Sequence, residues 1–167
     1  MNLWNSFFGK LVMTFLISMV PVVELRGAIP IAVAHGLPFW WAIPVAIIGN
    51  LVPVPFIIVF IKKIFAWLRT KSRWLESLVT RLENRAIGKI DTVKKYAFWG
   101  LFIFVAIPLP GTGAWTGSLI AAMMDMKVKE AFPSILLGVV TAGIIIAFVS
   151  YGAGPLIWSL IRSLFAG

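Results

Sequence analysis

The sequence contains no cysteine, one histidine and only six acidic residues in 167 positions. Without cysteine the chain forms no disulfide, no thiolate nucleophile and no cysteine-ligated metal site. With His35 as the single histidine, we expect neither a metal nor any other cofactor. We find no Ser/His/Asp or paired-carboxylate arrangement and no G-x-x-x-x-G-K-[ST] phosphate loop. We therefore expect no enzymatic activity.

Charge is also scarce, since 13% of the residues are charged and 60% are hydrophobic. Soluble domains average about 25% charged and about 45–50% apolar residues. The stretches 27–61, 96–124 and 131–161 contain no Lys, Arg, Asp or Glu, and each exceeds the roughly 20 residues that cross a bilayer core. These stretches predict a multi-pass protein of the cell membrane. Leu11–Val23 has no small-residue cleavage site after it, so we expect it to belong to the fold rather than to a secretion signal.

The charge that is present gathers in the middle of the chain. Residues 62–95 hold ten Lys or Arg against Glu76, Glu83 and Asp91. Between two membrane blocks, this excess indicates a cytoplasmic linker, and we expect no nucleic-acid interface. Apolar residues recur there every three or four positions, which is typical of an amphipathic helix lying along an anionic membrane surface. A soluble helical hairpin packed on itself is the alternative.

The two apolar halves, 1–61 and 96–167, follow the same order: an apolar helix, a Pro/Gly-rich motif, a small-residue segment, a polar turn and a long span. In this register Pro21 corresponds to Pro108, and Gly49 roughly to Gly138. We predict an all-α integral membrane fold of two inverted repeats, each a re-entrant helical hairpin followed by one transmembrane helix. The predicted hairpins span about 8–35 and about 96–125, and the transmembrane helices about 38–61 and about 131–161, joined by the amphipathic linker 62–95.

Two topologies compete for this pattern. In the re-entrant topology, both termini lie outside and the turn Asp125–Glu130 lies on the cytoplasmic side. In a four-span topology each broken segment crosses once, the termini lie in the cytoplasm, and Asp125–Glu130 lies outside. The arm Leu11–Val23 has 13 residues, too few to cross a bilayer, and prolines interrupt helical hydrogen bonding. Broken backbone at membrane depth is tolerated where it is buried in protein or lines a wet cavity, which favours the re-entrant topology.

The first Pro/Gly-rich motif holds an acid and a base, Glu24 and Arg26, between Pro21 and Pro30. An ionisable group at membrane depth costs about 2.5–3.5 kcal/mol on insertion scales and marks an ion or substrate path. The Arg26 fork suits phosphate or carboxylate oxygens, and we predict that it binds substrate. A desolvated carboxylate takes up a proton readily, so we predict that Glu24 couples transport to protons. A structural ion pair that fixes the loop is the alternative.

The second motif, Pro108–Gly117, supplies small hydroxyls and glycines. Exposed backbone N–H groups of such loops bind anions, and close packing of helices through small residues is the alternative. We predict further substrate contacts from this motif at Gly111, Thr112, Gly113, Thr116 and Gly117. Asn50 and Ser118 are predicted as polar lining, with a neighbouring helix backbone as the alternative partner of Asn50.

On E-L-R-G-A-I-P (24–30), G-N (49–50) and P-L-P-G-T-G-A-W-T-G (108–117), the chain resembles the small multidrug export proteins over essentially its whole length. This family is in turn distantly similar to the DedA, or VTT-domain, membrane proteins. That resemblance implies two inverted re-entrant hairpins and transport of polyprenyl-phosphate carrier lipids with proton coupling. Glu24 then matches the membrane acid of the first DedA hairpin, and Pro110-Gly111 the Pro-Gly of the second. DedA proteins place arginines around that Pro-Gly, where this chain has Ile107, Leu109 and Gly113.

Three functions are consistent with these features. The first is a DedA-like transporter or lipid translocase that moves an anionic amphiphile, such as a polyprenyl phosphate, with proton coupling. The second is an exporter of cationic drug-like compounds with Glu24 as the binding anion, and the third a non-transporting scaffold whose linker recruits a partner or anionic lipid. Because the chain is short, we expect a homodimer surrounded by membrane lipids.

Overall fold

The computed structural model describes residue 4 and residues 6–94, 97–109 and 111–153, with only the backbone described at 91–94 and 153. These residues form helices and contain no strand, so the all-α prediction is confirmed for them. The helices are α1 (Phe7–Met19), α2 (Glu24–Ala34), α3 (Phe39–Leu51), α4 (Pro53–Arg69), α5 (Arg73–Lys94), α6 (Ala97–Ala106), α7 (Ala114–Met123) and α8 (Val128–Ala147), followed by a π-helical segment (Phe148–Ala153).

Two continuous helical stretches are long and apolar enough to cross a membrane, Phe39–Arg69 with 31 residues and Val128–Gly152 with 25. The first was predicted to end near residue 61 and continues to Arg69. The second was predicted to run from about 131 to 161, and its predicted end lies outside the described residues. By their backbone contacts the helices form two compact units. The first unit comprises the described residues before Leu51 and after Val140, and the second unit comprises Leu51–Val140.

In the first unit, α1 and α2 form a helical hairpin. The Ser6 hydroxyl caps α1 by accepting from the Gly9 amide at 2.9 Å, which satisfies one of the free N–H groups at a helix start. The helix ends at Met19, before Pro21, whose ring is incompatible with a continuing helix. After a short turn, α2 begins at Glu24 and packs back on α1.

The same unit brings α1 against α3 at Gly49. A Cβ atom at Gly49 would lie 2.5 Å from the Phe15 carbonyl oxygen and would collide with the Ser18 hydroxyl, so only glycine allows this approach of two helices. Thr14 and Ser18 are fully buried beside it. Their hydroxyls donate to carbonyls of their own helix, at 2.7 Å to Lys10 and 2.7 Å to Phe15. Burial of these hydroxyls is therefore compensated by hydrogen bonds.

The end of α8 and its π-helical extension close the first unit along α3. Gly143 faces Ile47 and Ile43, with a Cβ position 3.3 Å from the Ile47 side chain. Further along, the Tyr151 hydroxyl donates to the Leu37 carbonyl at 2.6 Å. Because later residues of one helix meet earlier residues of the other, the two helices run antiparallel here.

In the second unit, α6, α7 and α8 run up, down and up again. Ser134 donates to the Phe98 carbonyl at 2.6 Å, and a Cβ at Gly138 would lie 3.0 Å from the Phe102 carbonyl. Both contacts advance by four residues, so α6 and α8 run parallel. Between them α7 returns, with Gly117 against Val105. The chain therefore reverses direction between α6 and α7 instead of continuing straight.

The segment predicted as the basic linker comprises the end of α4, a turn and α5. Helix α5 packs against α4, α6 and α7, and Val79 and Ala86 on its apolar face are fully buried. Arg69 at the end of α4 pairs with Glu83 of α5. The predicted amphipathic helix is thus present, and its apolar stripe packs on other helices of this unit.

Candidate functional site

Glu24 lies at the turn of the first hairpin and is buried, with 4% of its surface exposed. Its φ is 49°, and that of Val22 in the same turn is 77°. Positive φ is sterically costly for residues other than glycine, and most of all for β-branched valine. Such backbone strain clusters at functional sites, and this turn holds a buried carboxylate.

Arg26 follows Glu24 on α2, and the two charges lie close enough to interact electrostatically. The guanidinium is only partly buried, whereas Leu25 and Ala28 on either side are buried in the core. Glu24 also lies in the first turn of α2, where a carboxylate is stabilised by the positive end of the helix dipole. The acid of the pair is thus enclosed, and the base is the accessible charge.

Asn50 is almost fully buried, at 1% exposure, near the end of α3. Neither its amide oxygen nor its amide nitrogen has a hydrogen-bond partner among the described residues. A buried polar group left unpaired costs about 1–3 kcal/mol. A hydrogen bond to a neighbouring helix backbone, the alternative role of Asn50, is therefore not seen in this part of the chain.

The second motif forms the loop between α6 and α7. Gly111 and Gly113 have φ of 82° and 129°, conformations that glycine adopts without steric cost. The Thr112 hydroxyl accepts from the Leu109 amide at 3.2 Å and donates to the Ile107 carbonyl at 2.7 Å. Thr112 therefore closes the loop on itself, and Pro110 lies outside the described residues.

The helix that follows this loop begins without a side-chain cap, since Gly113 occupies the cap position of α7. Thr116 is partly exposed, whereas Gly117 and Ser118 are buried. A Cβ at Gly117 would lie 2.6 Å from the Val105 side chain, and Ser118 donates to the Ala114 carbonyl at 2.6 Å. Gly117 thus makes the close helix contact of the alternative interpretation, whereas the Ser118 hydroxyl bonds within its own helix, and anion binding by this motif stays a prediction.

Glu24, Arg26 and Asn50 belong to the first unit, and the predicted residues from Gly111 to Ser118 belong to the second. In the first unit Glu24 and Arg26 lie at the start of α2 and Asn50 near the end of α3. In the second unit the predicted residues lie in the α6–α7 loop and at the start of α7. The meeting of the two hairpin tips stays a prediction. Among the described residues, no group of three His, Asp or Glu side chains is arranged to hold a metal ion.

An ion pair that no sequence pattern predicted joins α4 to the turn between α7 and α8. Lys62 Nζ lies 2.7 Å from Asp125 Oδ1, and Asp125 has a φ of 56°. Both side chains are exposed, so the pair contributes at most about 1 kcal/mol. The pair bears on the topology rather than on stability. It joins the start of the basic linker to the turn Asp125–Glu130, which the two topologies place on opposite sides of the membrane.

Comparison with known families gives a match over most of the chain. Residues 24–145 match the family described as "Putative small multi-drug export protein". This range begins at Glu24 and includes Asn50 and the whole second motif. No curated protein and no solved structure matched, and the resemblance to DedA proteins rests on the sequence motifs. The chain is a membrane protein that belongs to the small multidrug export family.

Proposed function

We propose that this protein is a membrane exporter of an anionic amphiphile, with Arg26 as the substrate-binding group and Glu24 as the proton carrier. The family description supports export. The observation that carries the finer proposal is the asymmetry of the pair: Glu24 is 4% exposed, while Arg26 remains partly accessible.

The sign of the substrate charge follows from this asymmetry. A ligand approaching the first hairpin meets the guanidinium before the carboxylate, and a guanidinium binds phosphate or carboxylate oxygens through two parallel hydrogen bonds. Glu24 balances the charge of Arg26 when it is ionised, and the substrate anion balances that charge when Glu24 is protonated. Proton uptake and anion binding are therefore coupled through one ion pair.

The topology that we propose is the re-entrant one, with two inverted repeats. The Lys62–Asp125 pair supports it, because a basic linker on the cytoplasmic side then holds the second hairpin's return turn on the same side. The repeat has support as well. The Phe15 carbonyl faces Gly49, and the Phe102 carbonyl faces Gly138 in the same way. Phe15 corresponds to Phe102 in the register that matches Pro21 with Pro108.

The second motif is proposed to add backbone N–H groups to anion binding through Gly111, Gly113 and the uncapped start of α7. Thr112, Thr116, Gly117 and Ser118 are proposed to shape that surface. A homodimer is proposed to enlarge the volume available to substrate, and DedA-like movement of a polyprenyl phosphate is the most specific form of the proposal.

Export of cationic drugs is the second candidate, and the family description favours it. In that case Glu24 itself binds the substrate, and Arg26 affects binding only through its electrostatic interaction with Glu24. Export of an anion requires Arg26 and export of a cation does not, so single substitutions distinguish the two functions.

The test uses protein reconstituted in vesicles with a pH gradient and two probes, fluorescently labelled farnesyl phosphate and ethidium. We expect transport of the phosphate probe, and we expect Arg26→Ala to reduce its rate by about tenfold or more, the effect of losing a hydrogen bond to a charged group. Glu24→Gln should remove the dependence on the pH gradient.

Matched controls are Arg73→Ala and Glu130→Gln, which remove an exposed base and an exposed acid and should leave transport unchanged. Thermal unfolding in detergent verifies that each variant is folded. Full phosphate-probe transport by Arg26→Ala and Glu24→Gln would exclude this site. Ethidium transport that is lost in Glu24→Gln and kept in Arg26→Ala would establish the cation exporter instead.

A further inference from the structure

A groove of about 290 Å³ lies in the second unit between α5, α6 and the second motif. Its walls are mainly apolar, formed by Trp99, Ile103, Ile107 and Leu109, and Lys89 is the one charged residue among the described residues that line it. Ligand pockets for whole drug-sized molecules measure about 300–1,000 Å³. The groove thus has room for part of a larger molecule that continues outside it.

The apolar wall is exposed rather than covered. Trp99, Ile103 and Ile107 are 60%, 52% and 44% exposed along one face of α6 and the residue after it. From Trp99 to Ile107 a helix rises about 12 Å, close to half of a hydrocarbon core of about 30 Å. The wall is therefore nearly as long as one leaflet of hydrocarbon is thick, a length that suits part of an acyl chain lying along it.

The charged end of the groove continues along α5. Arg81, Arg85 and Lys89 follow one another at intervals of four and share one helix face, and all three are exposed. Trp74 and Leu78 lie on the same face and are 70% and 38% exposed. On the other side of the helix, Glu83 pairs with Arg69. A ligand headgroup beside Lys89 thus meets positive charge, with Arg85 one helical turn away on the same face.

We infer that this groove is a binding site for an anionic membrane phospholipid, with the headgroup at Lys89 and Arg85 and an acyl chain along Trp99, Ile103 and Ile107. Tryptophan is enriched at the membrane interface, and basic residues beside a cytoplasmic leaflet attract its anionic lipids. The groove shares Thr112 with the second motif, but the inference uses neither Glu24 nor Arg26, and its test measures no transport.

The experiment reconstitutes the protein in an equal mixture of phosphatidylglycerol and phosphatidylcholine and extracts it in mild detergent. Retained lipid is then counted by native mass spectrometry. We expect phosphatidylglycerol to be retained in preference, and Lys89→Gln to reduce its retention about fivefold, the effect of one basic residue near a membrane surface. Lys129→Gln, a change of another exposed lysine at the start of α8, should have no effect.

The apolar wall is tested by Ile103→Trp, which fills the groove, against Ile144→Trp at an exposed position of α8. Only the first should reduce retention. Equal retention of the two lipids, or equal losses from the Lys89 and Lys129 variants, would overturn the inference. If Ile103→Trp fails to fold in thermal unfolding, the pair of lysine variants decides the question alone, because both lysines are on the surface.

Discussion

A methyl group added at Gly49 would enter the backbone of α1, 2.5 Å from the Phe15 carbonyl oxygen. Neither that carbonyl nor the α3 backbone can shift without opening the contact between the two helices. We predict that Gly49→Ala lowers the free energy of unfolding by about 1–3 kcal/mol, the usual cost of overpacking. Thermal unfolding in detergent measures this change.

The matched control is Gly88→Ala in α5, where an added Cβ would meet nothing within 4 Å. Replacing glycine by alanine in an open helix position stabilises by up to about 1 kcal/mol. The two changes add the same group and should shift the midpoint in opposite directions. A Gly49→Ala protein as stable as the unsubstituted one would mean that α1 does not approach α3 this closely.

At single positions the chemistry of the side chains restricts the candidates, and the roles predicted for Glu24 and Arg26 stay predictions. A carboxylate and a guanidinium in an apolar chain indicate an unusual site from the sequence alone, and Glu24 is buried at a turn. The missing hydrogen bonds of Asn50 were not predictable, because they depend on which side chains surround it in three dimensions. Thr14 and Ser18 lie four positions apart on one face of α1, and both are buried. This spacing could have predicted a buried polar stripe, but no such stripe was among the predictions.

Between elements, the Tyr151 hydroxyl joins the π-helical segment to the Leu37 carbonyl between α2 and α3. We predict that Tyr151→Phe costs about 0.5–1.5 kcal/mol, the net value of one hydrogen bond. The phenyl ring keeps its edge contact with Phe39, at 5.8 Å between ring centres, so the loss isolates the hydroxyl. Thermal unfolding of the two proteins measures the difference.

The control for Tyr151→Phe is Thr70→Ala, which removes an exposed hydroxyl that donates to the Trp67 carbonyl at the end of α4. Exposed substitutions of this kind stay within about 0.5 kcal/mol. If Tyr151→Phe falls in the same range, the hydroxyl bond does not hold the end of α8 to this turn.

The prolines and glycines of the sequence predicted the order of the helices, but not the residues at which each helix ends. Pro21 and the second motif predicted where two helices stop, and α1 and α6 end there. The linker prediction missed that α4 continues to Arg69, because its last turns carry charges that a hydropathy argument assigns to a loop. Contacts such as Ser134 with Phe98 join residues far apart in the chain, which no local pattern shows.

For the whole molecule, the two topologies place different positions on the same side of the membrane. The chain has no cysteine, so single changes Leu3→Cys, Asn84→Cys and Lys127→Cys give clean labelling sites. We predict that a membrane-impermeant maleimide applied to intact cells labels position 3 and leaves 84 and 127 unlabelled until the cells are opened. This result follows from a linker and a return turn that share the cytoplasmic side.

Labelling of position 127 in intact cells, with 3 and 84 protected, would instead establish four crossings.

Hydropathy alone predicted the membrane class, which the family match and the two long apolar helices support. It left the topology open, because a broken segment of about 25 residues has the same composition whether it crosses or returns. The Lys62–Asp125 pair is a long-range contact that composition does not show, and the labelling experiment decides between the two topologies.

The junction of α3 and α4 at Val52 has a consequence for hydration inside the apolar stretch Phe39–Arg69. Pro53 and Pro55 have no amide hydrogen, so the carbonyls of Gly49 and Leu51 receive no helical hydrogen bond from them. These two residues flank Asn50, whose side-chain amide is itself unpaired within the described residues. The middle of a strongly apolar helical stretch thus carries polar groups without any ionised side chain, and a water molecule there would find both acceptors and a donor.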